Sequence, residues 1–90
     1  MPTWDEYKRL KNIEHHGLDF VGCESIFDGQ VFAFEDLSQA YGEQRMCLLG
    51  WLDGTIVHLT YTDREDDFHA ISLRKAEKHE IKRFIKEISR

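Results

Sequence analysis

Proline is almost missing from this chain of ninety residues. Pro2 is the only one, and glycine occurs six times. With so little of either, and with 41% hydrophobic and 12% aromatic residues, the chain reads as globular rather than disordered. Cysteine is scarce too. Cys23 and Cys47 are too few for a disulfide scaffold, and each reads as a small buried hydrophobe. No stretch approaches the roughly 20 apolar residues that a membrane-spanning helix needs. The opening residues, MPTWDEYKRLKN, lack the apolar run of a secretion signal. These absences lead to the expectation of a cytoplasmic protein with reduced thiols. A chain this short buries only about 60–65% of the surface its unfolded form exposes, enough for one domain spanning 1–90.

Basic residues are missing mainly from the first half. Residues 1–44 hold three basic and nine acidic side chains, a net of −6, whereas residues 45–90 hold nine and eight, a net of +1. From Arg74 to Arg90 seven basic side chains meet three acidic ones, a local +4 within a chain of net charge −5. The first half would repel a polyanion and the last helix would attract it. An ordinary charged surface helix is the alternative reading.

The local signals predict an α+β fold with two N-terminal helices, a four-stranded and mostly antiparallel sheet, and a C-terminal helix. Thr3 and Glu6 have capping-box spacing, with Asp5 as a rival cap, so a first helix is expected from about Asp5 to His15. It carries Tyr7, Leu10 and Ile13 on one stripe, and Gly17 ends it. A second helix is expected with Asp19 as its N-cap, running to about Phe27, with Phe20, Cys23 and Phe27 facing inward. Val31–Phe34 is β-prone. The clearest signal follows: Asp53-Gly54 between Arg45–Leu52 and Thr55–Thr62 predicts a two-residue hairpin with Leu52 opposite Thr55. One face of that hairpin carries Met46, Leu48, Val57, Leu59 and Tyr61 and reads as core. The other carries Arg45, Cys47, Leu49, Trp51, Ile56, His58, Thr60 and Thr62. A fourth strand is expected at Phe68–Leu73. With Tyr61 opposite His69, the mixed face would gain Ala70, Ser72 and Arg74, and a one-residue slip would send them to the core side. In the last helix, Ile81, Phe84, Ile85 and Ile88 form a stripe of 3.6-residue period for packing on the sheet, leaving Lys75, Lys78, Lys82, Arg83 and Lys86 in water.

Metal chemistry finds no pattern to support it. His79-Glu80 begins like a zinc-protease helix, but Arg83 stands where the second histidine belongs. Asp63, Glu65, Asp66 and Asp67 cluster without the calcium-loop spacing. His15 and His16 point about 100° apart on a helix, poorly placed to share an ion. Glycine-rich phosphate loops and a nucleophile elbow are absent. What is present is a set of arginines and histidines on a small sheet. Arg45, Arg64 and Arg74 are permanent cations with forked donors suited to phosphate oxygens. His58 and His69 can exchange protons near neutrality. RNA can be cleaved through its own 2′-hydroxyl, given a base, cations for the phosphate and an acid for the leaving oxygen. The bland alternative is that these groups are partners in structural salt bridges.

The order of short fragments along the chain carries a resemblance. Trp4-Asp5, Lys8, Asn12, His16-Gly17 and Phe20 come first, then Ile26-Phe27-Asp28. Glu43 and Arg45 precede Gly50. Tyr61-Thr62-Asp63-Arg64 and Ile71-Ser72-Leu73-Arg74-Lys75-Ala76 follow, and Glu80 opens the last helix. This series resembles the BrnT family, small ribonuclease toxins with a RelE-like fold. The resemblance implies cleavage of RNA and arrest of translation, with no cofactor. It implies a partner antitoxin, BrnA-like, with a ribbon-helix-helix part. The two would form a hetero-oligomer that masks the toxin and meets DNA only through the antitoxin. The family often has arginine where His69 stands, alanine for Leu73 and threonine for Glu77. Arg45, Arg64 and Arg74 match the family pattern, and together with His69 from the set on the sheet they are the expected catalytic residues, with Lys75 and Lys78 the expected RNA-binding ones. Arg64 with His69 is assigned to the reacting phosphate. Arg74, with Arg45 or Lys78, is assigned to a second grip on the backbone.

Overall fold

The computed structural model describes residues Met1–Arg90. Helix α1 spans Glu6–His16, followed by a 3-10 helix at Cys23–Asp28. Four strands come next, β1 (Val31–Glu35), β2 (Met46–Leu52), β3 (Thr55–Arg64) and β4 (Asp67–Lys75), and α2 (Lys78–Ile88) ends the chain. The sheet is fully antiparallel with the order β1-β2-β3-β4. The fold is therefore α+β, with the four-stranded antiparallel sheet and the C-terminal helix as expected.

Turn chemistry decides the central hairpin. Asp53 and Gly54 both take positive φ, 50° and 79°, as a two-residue turn that matches strand twist requires. Leu52 lies opposite Thr55 and Met46 opposite Tyr61, the register the turn predicts. The core face is also as read from the alternation. Leu48, Val57, Leu59 and Tyr61 join Phe20, Cys23 and Ile26 in one buried cluster. On the opposite face Leu49, Ile56 and Phe84 form a second, under α2.

The second N-terminal helix differs from its expectation. It is a single 3-10 stretch and begins only at Cys23, because Gly22 sits in the left-handed region at φ 89° and breaks any helix starting earlier. Asp19 does not cap it in the helical sense. Its carboxylate accepts the Val21 N–H and holds the Arg9 guanidinium at 2.8 Å. Phe20 and Cys23 are buried, but Phe27 is 40% exposed. Gly50 explains how the 3-10 helix reaches the sheet: a Cβ there would lie 2.7 Å from Ile26 Cγ2.

Helix α1 turns an unexpected side inward. Asp5 is its cap, accepting the Lys8 N–H, while Thr3 instead bridges to His69. Asn12 is the buried residue of α1, and Tyr7, Leu10 and Ile13 face solvent. In α2, Ile81, Phe84 and Ile88 pack on the sheet, but Ile85 is half exposed and not part of the packed stripe.

The β3–β4 register also departs from the expectation. Beside the turn, Arg64 lies opposite Asp67, Thr62 opposite His69 and Tyr61 opposite Ala70. Beyond a bulge at Thr60/Tyr61, Thr60 lies opposite Ser72 and His58 opposite Arg74. Ile71 is the extra residue. Ala70 therefore points to the core, not to the mixed face, and is buried there. Ser72 and Arg74 keep the mixed face, because the inserted residue restores the phase that the turn had shifted.

Candidate active site

The bulge brings Arg74 to the same side of the sheet as His58. Without the extra residue, Arg74 would stand opposite Val57 and point to the core. As it is, Arg74 and His58 are cross-strand neighbours on the floor of a recess of about 390 Å³ between the sheet and α2. Phe34, Asp36, Cys47 and Thr60 form the sheet side, and His79, Glu80 and Arg83 come from α2.

Glu80 ties the recess together. Its two carboxylate oxygens accept from both terminal nitrogens of Arg74, at 2.8 and 3.0 Å. One of the same oxygens accepts the Glu77 N–H at 2.8 Å, closing a capping box at the start of α2. So the residue that positions Arg74 also sets where α2 begins. The guanidinium, the Glu77 N–H and burial act on this carboxyl in different directions. The first of these dominates, and holds its pKa down at about 2.

His58 is 8% exposed, and its Nε2 lies 3.9 Å from a Glu80 oxygen. Burial pushes its pKa below the ordinary histidine value, and the Arg74 charge adds to this; Glu80 opposes it. The imidazole is therefore held neutral at neutral pH. The fork of Arg74 is not exhausted by Glu80. Five N–H donors radiate from a guanidinium; Glu80 takes two of them and the Lys75 carbonyl a third, at 3.3 Å.

The remaining expected site residues do not converge on this recess. Arg64 is at the turn end of β3, with its guanidinium 3.4 Å from Glu43. Seven steps along β4, roughly 23 Å of strand, separate Asp67, which lies opposite Arg64, from Arg74. His69 donates to or accepts from Thr3 Oγ1 at 2.8 Å through Nδ1. Thr3 also pairs with β4 through its backbone, so this histidine lies where the N-terminal segment joins the sheet edge. Arg45 precedes β2, with its guanidinium stacked 4.0 Å above the Tyr41 ring and its Nε buried without a hydrogen-bond partner. Thr62 Oγ1 is a second buried atom without a partner. Lys75 is exposed at the end of β4, and Lys78 is exposed at the first residue of α2. Arg83, expected in plain solvent, lies over Phe32 and Phe34 at 4.9 Å.

Asp36 carries no signal that composition or spacing could have turned into a site, and Glu80 was visible only as the glutamate that opens the last helix. His58 was visible as a histidine on the mixed face, but its partner depended on a bulge that no turn signal marks. Cys23 is fully buried, with its thiol pushed up to about 12 by burial, and Cys47 is raised for the same reason. Both thiols are held in the unreactive protonated form. No three His, Cys, Asp or Glu side chains are arranged as a metal site.

The chain is thus a small α+β protein with a buried histidine and a carboxylate-paired arginine lining a recess under a basic helix. Comparison with known families makes this specific. Residues 4–80 match the family described as the ribonuclease toxin, BrnT, of type II toxin–antitoxin systems. The chain belongs to the BrnT family. That membership places it among toxins that are paired with an antitoxin, in a family named for ribonuclease activity. No curated protein matches the chain. No helix is long and apolar enough to cross a membrane.

Proposed function

We propose that this chain is the toxin of a type II pair and an endoribonuclease. It cleaves RNA in the cytoplasm without a metal ion, by attack of the 2′-hydroxyl on the adjacent phosphate, and so arrests translation. All ninety residues would serve as one toxin domain of RelE-like architecture. The observation that carries the reading is the cross-strand pair of Arg74 and His58, both lining the recess beneath α2. A fixed cation beside a neutral imidazole is the minimum needed to bind a phosphate and manage a proton.

The geometry supports a changed division of labour among the expected residues. Arg74, with donors left over from Glu80, is the cation for the reacting phosphate. Arg45 and Arg64 grip the RNA backbone further along, and Lys75 and Lys78 add the electrostatic attraction of α2. For His69, the bond to Thr3 supports a part in holding the N-terminal segment rather than in moving protons.

The partner would be a small antitoxin with a ribbon-helix-helix part, forming a hetero-oligomer in which RNA cleavage is blocked. Contact with DNA would come through the antitoxin alone. One observation favours a second reading, a non-catalytic module that keeps the fold for docking: the Arg74 fork is already engaged by Glu80.

Induced expression in a bacterium decides between them. Wild type should stop growth and shorten cellular RNA, Arg74→Ala should do neither, and co-expression of the neighbouring small protein should restore growth and co-purify. Unchanged growth and intact RNA with folded wild type would leave the docking reading.

A further inference from the structure

The recess contains one side chain whose position fits proton transfer and which neither the family match nor the arginine set assigns. We propose that His58 is the catalytic residue that takes the proton from the RNA 2′-hydroxyl, with Glu80 as the positioning residue that orients it. This rests on the ribonuclease reading above and goes beyond it by naming the base.

Three observations carry it. His58 stands directly opposite Arg74, so a phosphate gripped by Arg74 has its neighbouring ribose within reach of the imidazole. Glu80 reaches both groups, the guanidinium by two hydrogen bonds and His58 Nε2 at 3.9 Å. One carboxylate therefore lies between cation and base, hydrogen-bonded to the first and within ion-pair distance of the second. The third observation concerns protonation. Charged and titratable groups surround His58 on every side: Asp36 just past β1, Cys47 on β2, Arg74 on β4, and His79, Glu80 and Arg83 on α2. Burial and Arg74 outweigh the acids and keep the ring neutral, the form a base must have. His69, by comparison, has its Nδ1 engaged by Thr3 at the sheet edge.

The step balances without a further reagent. His58 accepts the 2′-hydroxyl proton as the 2′-oxygen bonds to phosphorus. The bond from phosphorus to the 5′-oxygen breaks, and that oxygen takes a proton from water in the open recess. The products are a 2′,3′-cyclic phosphate and a 5′-hydroxyl, and the imidazolium returns its proton to solvent. Arg74 carries the extra negative charge that develops on the phosphate.

The test uses purified full-length chain, in excess over a 5′-labelled mixed-sequence RNA, with cleavage followed across pH. The expected wild-type rate climbs as pH rises through the His58 titration and then levels, and the product carries a cyclic phosphate. His58→Gln should lower the single-turnover rate about 10²–10⁴-fold and remove the climbing limb. His16→Gln, on α1, should alter neither. A retained limb in His58→Gln, or its loss in His69→Gln instead, overturns the inference while leaving the ribonuclease reading in place. No cleavage by wild type overturns both, and cleavage equal in Arg74→Ala overturns the site built on Arg74 and His58 while leaving the ribonuclease reading in place. Should His58→Gln fail to fold, wild type is titrated by NMR with the same RNA carrying 2′-O-methyl riboses. The imidazole signals of His58 must then move on binding and titrate at a changed pH, and unmoved signals overturn the assignment.

Discussion

Asn12 of α1 lies against Leu73 of β4 as if it were a residue of a fifth strand. Its Nδ2 donates to the Leu73 carbonyl at 2.8 Å, and its Oδ1 accepts the Leu73 N–H at 3.0 Å. The same Nδ2 donates to the Leu18 carbonyl at 2.8 Å, which ties down the chain just after α1. A side-chain amide thus satisfies the outer edge of β4, where a bare strand would invite pairing with another chain. It also fixes Leu73 between the bulge and Arg74.

Removing that amide should therefore cost more than its volume suggests. Asn12→Ala leaves the Leu73 N–H and two carbonyls without partners, and an unsatisfied buried group costs about 1–3 kcal/mol. Asn12→Asp retains the acceptor but loses both donated bonds and buries a charge, so it should be worse still. Urea denaturation checks this. A loss under about 0.5 kcal/mol in Asn12→Ala would mean that water replaces the amide.

Gly50 should not tolerate even a methyl group. The Cβ of Gly50→Ala would meet Ile26 Cγ2 at 2.7 Å and Val31 Cγ1 at 3.3 Å. Overpacking of this kind costs about 1–3 kcal/mol. In the double variant Gly50→Ala with Ile26→Ala, which removes the clashing Cγ2, the added methyl should cost less than it does beside Ile26, a recovery measured by thermal unfolding. Without such recovery, the contact with Ile26 is not the cause.

Acid should weaken the fold through Glu80. Its carboxyl is held at about 2 in the folded chain against an ordinary 4.5. A lowered folded pKa gives stability that is fully present above the unfolded value and lost as pH falls through the folded one. Glu80→Gln should lower stability at neutral pH by about 1.5–3 kcal/mol, the range for hydrogen bonds to charged groups. The gap between wild type and variant should then close on acidification from near 4.5 toward 2, read from denaturation midpoints. A gap that stays constant with pH would mean the ion pair with Arg74 is not its source.

Arg74 and Arg64 should fail in different ways. Arg74→Ala should cut single-turnover cleavage at saturating enzyme about 10²–10³-fold, the loss expected for a group that stabilises transition-state charge. Arg64→Ala should leave that rate nearly intact and raise the enzyme concentration needed. It should also flatten the dependence of binding on salt, by a slope of about 0.7 for each lost contact to single-stranded RNA. Circular dichroism must show both variants folded. The reverse pattern would return the reacting phosphate to the turn end of the sheet.

Much of the fold was legible because its signals are local. Asp53-Gly54 determines the β2–β3 register through backbone conformation alone, and alternation along those strands then sorts core from working face. The stripe of Ile81, Phe84 and Ile88 carries its own period. The order of short fragments from Trp4 to Glu80 was enough for the family. Arg74 could be named, and so could the face it shares with His58.

Tertiary structure decided the rest, because it turns on contacts between residues far apart in sequence. The register at the β3–β4 turn sends Ala70 inward, and the bulge at Ile71, which no turn signal marks, then sets Arg74 opposite His58. Which side of α1 is buried depends on what the β4 edge requires. An unpaired Leu73 backbone outweighs the gain from burying Tyr7 and Leu10, so polar Asn12 turns in. Glu80 opens a helix in sequence, but only the folded chain makes it the clamp on Arg74. Turn geometry and side-chain period are properties of a few neighbouring residues. The juxtaposition of a cation, a base and a carboxylate from β3, β4 and α2 is a property of the packed molecule.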